Sequence, residues 1–195
     1  MKWYTLAAEQ GHAHAQCNLA LSYDNGEGVV QDYAAAVKWY TLAAEQGAAE
    51  AQNNLGFMYE RGEGVVQDYA AAVKWYTLAA EQGDATAQFT LGWMYYNGEG
   101  VVQDYAAAVK WYTLAAEQGD AEAQNNLAIM YNNGEGVLQD YALAHMWANI
   151  AAANGAEHGS KNRDIIAQKL SQTEITSAQT MARECMASNY ANCGY

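Results

Sequence analysis

The sequence predicts an all-α solenoid, in which helix-loop-helix repeats stack along one axis. The tetrapeptide AEQG recurs with a constant period of 36 residues, beginning at Ala8, Ala44, Ala80 and Ala116. The stretch VVQDYAAAVKWYTLAAEQG occurs unchanged at 29–47, 65–83 and 101–119, with a diverged copy at 137–155. The 195 residues include 17 glycines and no proline. Such a composition is typical of helices joined by glycine turns.

The first half of each repeat predicts a helix, called helix A below. In the copy at 84–96, Ala85, Gln88, Leu91 and Tyr95 recur at spacings of three and four residues, so they share one helical face. The loop at 97–100 contains two glycines, and a glycine after the last turn can adopt the left-handed conformation that ends a helix.

The second half of each repeat predicts another helix, called helix B. Asp104 is the expected N-cap, and Tyr105, Ala108 and Trp111 lie on an apolar stripe that ends before Gly119. Strands are not indicated, because apolar and polar residues do not alternate and alanine is abundant. A single hairpin cannot bury both of its stripes, so we expect the repeats to stack into a continuous core.

We therefore expect a repeat array over residues 1–155 and a helical cap over 156–195. The array would consist of a partial repeat over 1–11 and four repeats that begin at residues 12, 48, 84 and 120. No glycine loop follows Gly155, and the segments 156–170 and 171–190 predict two closing helices. Ser171 and Glu174 have the spacing of a capping box at the start of the second.

The first residues begin in the middle of a repeat. Met1 has the position that Val37 has in the next repeat, so the array opens inside a helix B, and Trp3 and Leu6 lack a preceding helix A. Truncation of a longer protein is the preferred explanation. Self-association, in which this exposed edge pairs with a second copy, is the alternative.

Each repeat follows the pattern A-x-A-Q-x-x-L-G-x-x-Y-x-x-G-x-G-V-x-x-D-Y-x-x-A-x-x-W-x-x-x-A-A-x-x-G. This pattern resembles the Sel1-like repeat, a relative of the tetratricopeptide repeat. The resemblance implies a right-handed superhelix of paired antiparallel helices that serves as an adaptor for other proteins and is not an enzyme. It also implies that helix A lines the concave side.

Positions that vary between otherwise matching repeats indicate a binding surface, because packing explains the invariant ones. On helix A they are spaced by three or four residues and form one stripe. The residues expected to face the concave groove are Asn53, Asn54, Phe57, Glu60, Phe89, Thr90, Trp93, Tyr96, Asn125, Asn126, Ile129 and Asn132. Amides can pair with the backbone of an extended peptide and rings can cover its side chains. The alternative is that Phe57, Trp93 and Ile129 only pack between repeats.

Charge and motif content argue against several function classes. With 22 acidic and 9 basic residues the net charge is −13, which disfavours nucleic acid and suggests basic partners. No run of about 18 apolar residues predicts a membrane span, and the N-terminus lacks the layout of a signal peptide. The glycine loops lack the lysine of a phosphate-binding loop, and His12 and His14 fall on different helical faces. We predict no metal, cofactor or catalytic residue.

Two of the three cysteines, Cys185 and Cys193, lie eight residues apart near the C-terminus. Some Sel1-like proteins are rich in disulfides of this spacing, so the resemblance implies a Cys185–Cys193 bridge. A bridge would favour a periplasmic or secreted location over a cytoplasmic one. Cys17 lies on the variable stripe, where we interpret it as a small apolar filler.

The leading prediction is a scaffold without catalytic activity that binds a protein or peptide segment on its helix-A face. Two alternatives stay open. Some disulfide-rich relatives are associated with β-lactams, which implies a β-lactam-binding or hydrolytic protein. The incomplete first repeat and the three identical helix-B blocks are also compatible with a structural module of a longer protein.

Overall fold

The computed structural model describes residues 2–191 and 193, without the side chains of Lys2 and Trp3. Within this part of the chain, eleven α-helices and no strands are present, which confirms the all-α solenoid. The helices are α1 Lys2–Glu9, α2 Ala13–Asn25, α3 Tyr33–Glu45, α4 Ala49–Arg61, α5 Tyr69–Glu81, α6 Ala85–Asn97, α7 Tyr105–Glu117, α8 Ala121–Asn133, α9 Tyr141–Ala153, α10 Gly159–Ala167 and α11 Gln172–Ala187. Met1 and the Trp3 side chain, which entered the interpretation of the first repeat, lie outside the described residues.

Within the repeats, the helices begin and end at the capping residues that the sequence predicts. Helices α2, α4, α6 and α8 are the A helices, and α3, α5, α7 and α9 are the B helices. Each B helix has an aspartate N-cap: at α7, Oδ1 of Asp104 accepts a hydrogen bond from the backbone N–H of Ala107 at 3.0 Å. Each A helix ends at a glycine in the left-handed conformation, such as Gly98 with φ of 73°, whose N–H donates to the Met94 carbonyl.

A buried glutamine on each A helix connects it to the end of the preceding B helix. In α4, Nε2 of Gln52 donates to the Ala44 carbonyl at 3.0 Å, and its Oε1 accepts from Nε2 of Gln82 at 2.7 Å. Gln16 has the same pair of bonds, to Ala8 and from Gln46. The Ala44 and Ala8 carbonyls also accept from the N–H groups of Gly47 and Gly11, so each glutamine adds a second bond at a helix end and ties neighbouring helices together. The invariant glutamine is therefore structural.

Contacts divide the chain into two compact units, residues 1–94 with 98–102 and residues 95–97 with 103–195. In the first unit, α1 to α5 pack in chain order. Alanines let the helices approach closely around larger side chains such as Tyr40 and Leu55. The approach of α4 and α5 is close at Gly56, where an added Cβ would lie 2.9 Å from a ring carbon of Tyr76.

In the second unit, α7, α8 and α9 pack in chain order, α10 packs against both α8 and α9, and α11 packs against α9. Trp147, Met146 and Ile150 of α9 are fully buried. The two closing helices and the capping box of Ser171 and Glu174 are confirmed. Both helices are shorter than the predicted segments. The second begins after its N-cap Ser171 and ends before Asn189 and Tyr190, which adopt positive φ. The division into an array and a cap stays a prediction.

Candidate functional site

The variable stripe of the first unit lines a groove of about 650 Å³. Helices α4 and α6 supply eight of its ten lining residues, and α2 and α5 supply one each. They are Asp24, Asn53, Asn54, Phe57, Glu60, Tyr76, Thr86, Phe89, Thr90 and Trp93. Seven of the residues that the sequence predicted for binding therefore lie together in one groove.

Aromatic rings form the apolar part of this groove. Phe57 is 41% exposed and Trp93 is 38% exposed, and Phe89 is half-buried. Exposed rings leave apolar surface in contact with water, which a bound segment can cover. The guanidinium carbon of Arg61 lies 5.1 Å from the centre of the Phe57 ring, so one face of this ring already accommodates a cation.

Two carboxylates in the groove are held by tyrosines of the B helices. The hydroxyl of Tyr76 donates to Oε2 of Glu60 at 2.7 Å, and the hydroxyl of Tyr40 donates to Oδ2 of Asp24 at 3.3 Å. Burial raises the pKa of both tyrosines, so they stay protonated donors. Burial also raises the pKa of Asp24, while the Tyr40 hydrogen bond lowers it and Glu63 raises it further.

An amide group in the groove has unused hydrogen-bonding capacity. Oδ1 of Asn53 is buried and has no hydrogen-bond partner among the described residues. A buried acceptor without a donor costs free energy, which a donor from a ligand would recover. Asn54, on the next position of α4, is half-buried. The groove thus contains apolar, anionic and amide groups side by side.

The other five predicted residues lie in the second unit. The expectation that Asn125 faces an open groove is not met: it is buried, and its Oδ1 accepts from Nδ2 of Asn162 at 2.8 Å, because α10 packs against α8. Oδ1 of Asn132 accepts from Nζ of Lys169 at 2.9 Å. The hydroxyl of Tyr96 donates to Oε2 of Glu135 at 3.1 Å. Asn126 and Ile129 are half-buried.

Three groove residues are absent from the predicted set. Asp24 and Thr86 occupy stripe positions, and the 36-residue period applied to Glu60 would have found Asp24. Tyr76 was missed for a different reason, because the tyrosine at this position is identical in three helix-B blocks and packing explains its ring. Its hydroxyl reaches Glu60, so the same residue also takes part in the groove.

Among the described residues, the cysteines and the ionisable groups outside the groove define no further site. Cys185 and Cys193 have Cα atoms 4.5 Å apart and sulfurs within bonding distance. Burial raises the pKa of Cys17 to about 12, and the nearby Glu50 adds to the shift, so its thiol is protonated at neutral pH. Across the described residues, no three His, Cys, Asp or Glu side chains are grouped as metal ligands would be. None of the described helices has the length and apolar character that a bilayer span needs.

Thiol counting tests the cysteine assignments. Under denaturing, non-reducing conditions we expect one thiol, from Cys17, because the other two are bridged. In the native protein we expect none within minutes, because the Cys17 thiol is buried and protonated. The variant Cys17→Ala is the control and should give none in either state. Three thiols after denaturation would contradict the bridge, and rapid native labelling would contradict the burial of Cys17.

Comparison with known proteins gives one family. The Sel1 repeat model matches residues 1–12, 13–47, 49–84, 85–120 and 121–155. A protective antigen of uropathogenic Escherichia coli with an SLR fold is 38% identical, with a TM-score of 0.85 over 100% of this chain and 45% of the antigen. A Sel1 repeat protein from Oxalobacter formigenes is 39% identical, with a TM-score of 0.75 over 77% of this chain and 62% of that protein. The chain spans less than two thirds of either protein. No curated protein matches the sequence.

Proposed function

The chain belongs to the Sel1 repeat family, whose repeats are generally protein-interaction modules, and we propose that it is a non-enzymatic adaptor that binds an extended peptide segment of a partner protein. The proposed binding surface is the groove of the first unit. The observation that carries the proposal is the chemical mixture in this groove, in which exposed rings lie beside amides on a stripe that differs from repeat to repeat.

Each class of side chain in the groove matches a part of an extended peptide. Asn53 and Asn54 can pair with the peptide N–H and C=O groups that lack partners in an extended chain, and Oδ1 of Asn53 has none of its own among the described residues. Phe57 and Trp93 can cover the side chains, since both rings are partly exposed. Repeat proteins of this kind commonly use the extended surface that stacked repeats create.

We also propose an oxidising compartment, such as the periplasm, as the place where the protein works. Disulfides persist in such compartments and are rare in reducing ones. The support for this location is the placement of Cys185 and Cys193 at bonding distance, and the thiol count tests the bridge on which the proposal rests.

Selection from a library of random, phage-displayed peptides tests the proposed function. Peptides selected on the wild-type protein should bind the double variant Asn54→Ala/Trp93→Ala at least about tenfold more weakly, since hot-spot side chains contribute at this level. The control variant Asn25→Ala/Leu78→Ala removes an amide and a half-exposed aliphatic side chain that lie outside the groove. It should bind like the wild type, and circular dichroism should show that both variants are folded.

Two results would contradict the proposal. One is a selection that enriches no peptide. The other is a set of enriched peptides that binds the groove variant as tightly as it binds the control variant, because the binding surface would then lie elsewhere.

A further inference from the structure

Glu60 and Asp24 are the two carboxylates of the groove in the first unit, and together they are called its anionic end. We infer that the occupant of the groove is a peptide anchored at this end by an arginine side chain. The guanidinium would pair with Glu60 and Asp24, and the aliphatic part of the side chain would lie against the aromatic rings. This inference rests on the proposed function and specifies the chemistry of the partner.

Each of the two carboxylates accepts a hydrogen bond from a buried tyrosine, and the bond to Glu60 is the shorter one. Tyr76 is 2% exposed, and its hydroxyl fixes Oε2 of Glu60 at 2.7 Å. Tyr40 is fully buried, and its hydroxyl holds Oδ2 of Asp24 at 3.3 Å. An ionised carboxylate offers about four acceptor sites, so one bond from a phenol leaves capacity for a bidentate cation. Acceptors held in place beforehand lose little conformational freedom when a ligand binds.

The charge of the groove is unbalanced. Its ten lining residues include two carboxylates and no basic side chain. Arg61 lies beside the groove on α4, but its Nε is already 3.1 Å from Oε1 of Glu63. An acidic segment, a phosphorylated segment or a free C-terminal carboxylate would meet like charges here, whereas a cation would be attracted. The net charge of −13 favours the approach of the same partners over a longer range.

The aromatic rings favour arginine over lysine as the anchor. Phe57, Phe89 and Trp93 line the same groove as the carboxylates. A guanidinium is planar, stacks on aromatic faces and pairs with a carboxylate through two parallel bonds, whereas an ammonium is a compact and strongly hydrated charge. The guanidinium carbon of Arg61, 5.1 Å from the centre of the Phe57 ring, shows that a cation fits beside a ring at this place.

The anionic end is specific to this part of the array. The residues at the position of Asp24 and Glu60 in the two following repeats are Tyr96 and Asn132, which carry no negative charge at neutral pH. The hydroxyl of Tyr96 and the amide oxygen of Asn132 are bonded to Glu135 and Lys169 of the second unit. An arginine anchor would therefore set the register of a bound peptide along the repeats.

The peptides selected on the wild-type protein supply the test, together with synthetic versions that carry glutamine or lysine in place of one arginine. Groove-dependent peptides, defined by their loss of binding to Asn54→Ala/Trp93→Ala, should share an arginine at one position. We expect arginine-to-glutamine replacement in the peptide, and Glu60→Gln in the protein, each to weaken binding about tenfold or more. The affinity of the lysine peptide should lie between those of the arginine peptide and the glutamine peptide.

A matched variant separates local pairing from general electrostatic attraction. Glu81→Gln removes the same charge from an exposed residue at the end of α5 and outside the groove lining, so it should weaken binding much less than Glu60→Gln. In the presence of Glu60→Gln, replacing the peptide arginine should have a smaller effect than in the wild type, because the pair with Glu60 is already broken and only Asp24 still attracts the guanidinium.

The outcomes for the anchor and for the proposed function are distinguishable. Groove-dependent peptides without a shared arginine, or equal losses in Glu60→Gln and Glu81→Gln, would overturn the anchor and leave the proposed function standing. The absence of any groove-dependent peptide would overturn both.

Discussion

Replacement of Gly64 by alanine is expected to lower the free energy of unfolding by about 2–6 kcal/mol, the sum of backbone strain and steric overlap. Gly64 is the second glycine of its loop and has φ of +73°, a conformation that side chains rarely adopt. A Cβ here would also overlap the backbone carbonyl group of Tyr33 at the start of α3. The overlapped atoms of Tyr33 belong to the backbone and the position of a Cβ is fixed by its own backbone, so no side-chain rotation can relieve the overlap.

Gly47→Ala is the matched control for this prediction. Gly47 also has positive φ, +89°, but a Cβ there would have no heavy atom within 4 Å. The control should therefore show strain alone, about 1–3 kcal/mol. Denaturation by urea, followed by circular dichroism, gives both values. Equal losses for the two variants would mean that the loop does not lie against α3 as closely as described.

Replacement of Trp147 by alanine is the second change with a large expected effect, about 3–5 kcal/mol, because it empties a large aromatic site in the core. Trp147 is fully buried on α9, the helix against which α8, α10 and α11 all pack. The surrounding helices are fixed by their own contacts, so the cavity should collapse only in part.

The loss of stability in the tryptophan variants should decrease as the exposed fraction of the replaced side chain increases. Trp111, which the sequence placed in the core stripe, is 9% exposed, and Trp93 of the groove is 38% exposed. Trp111→Ala should therefore approach the loss found for Trp147→Ala, and Trp93→Ala should lose much less, since part of its ring already contacts water. A loss of stability in Trp93→Ala as large as that in Trp147→Ala would identify Trp93 as a core residue and would support the packing interpretation of the variable stripe.

The repeat made the fold predictable from sequence. The identical blocks revealed the period, Asp104 and Ser171 marked helix starts, and glycines such as Gly98 marked helix ends. These are local signals, and they appear several times. The role of Gly64 was not predictable, because it depends on the approach of a loop to Tyr33, about thirty residues earlier in the chain.

Only part of the groove was predictable from the sequence. The burial of Asn125 shows why. Comparing repeats finds the residues that packing leaves free to vary, and in the first unit it selects Phe57 and Glu60, which line one groove. It cannot find what the closing helices cover, because α10 has no counterpart in the repeat. Nor can it find an invariant residue with two roles, such as Tyr76, whose ring packs in the core while its hydroxyl holds Glu60.

Chemical-shift mapping with a selected peptide tests the central claim, that the groove of the first unit is the binding surface. The ¹⁵N–¹H spectrum of the full chain would be recorded as the peptide is added. We predict that the largest changes fall on Asn53, Asn54 and Phe57 of α4 and on Phe89 and Trp93 of α6, with the Trp93 indole N–H among them. Changes concentrated on α9 to α11, with α4 and α6 unaffected, would contradict the account.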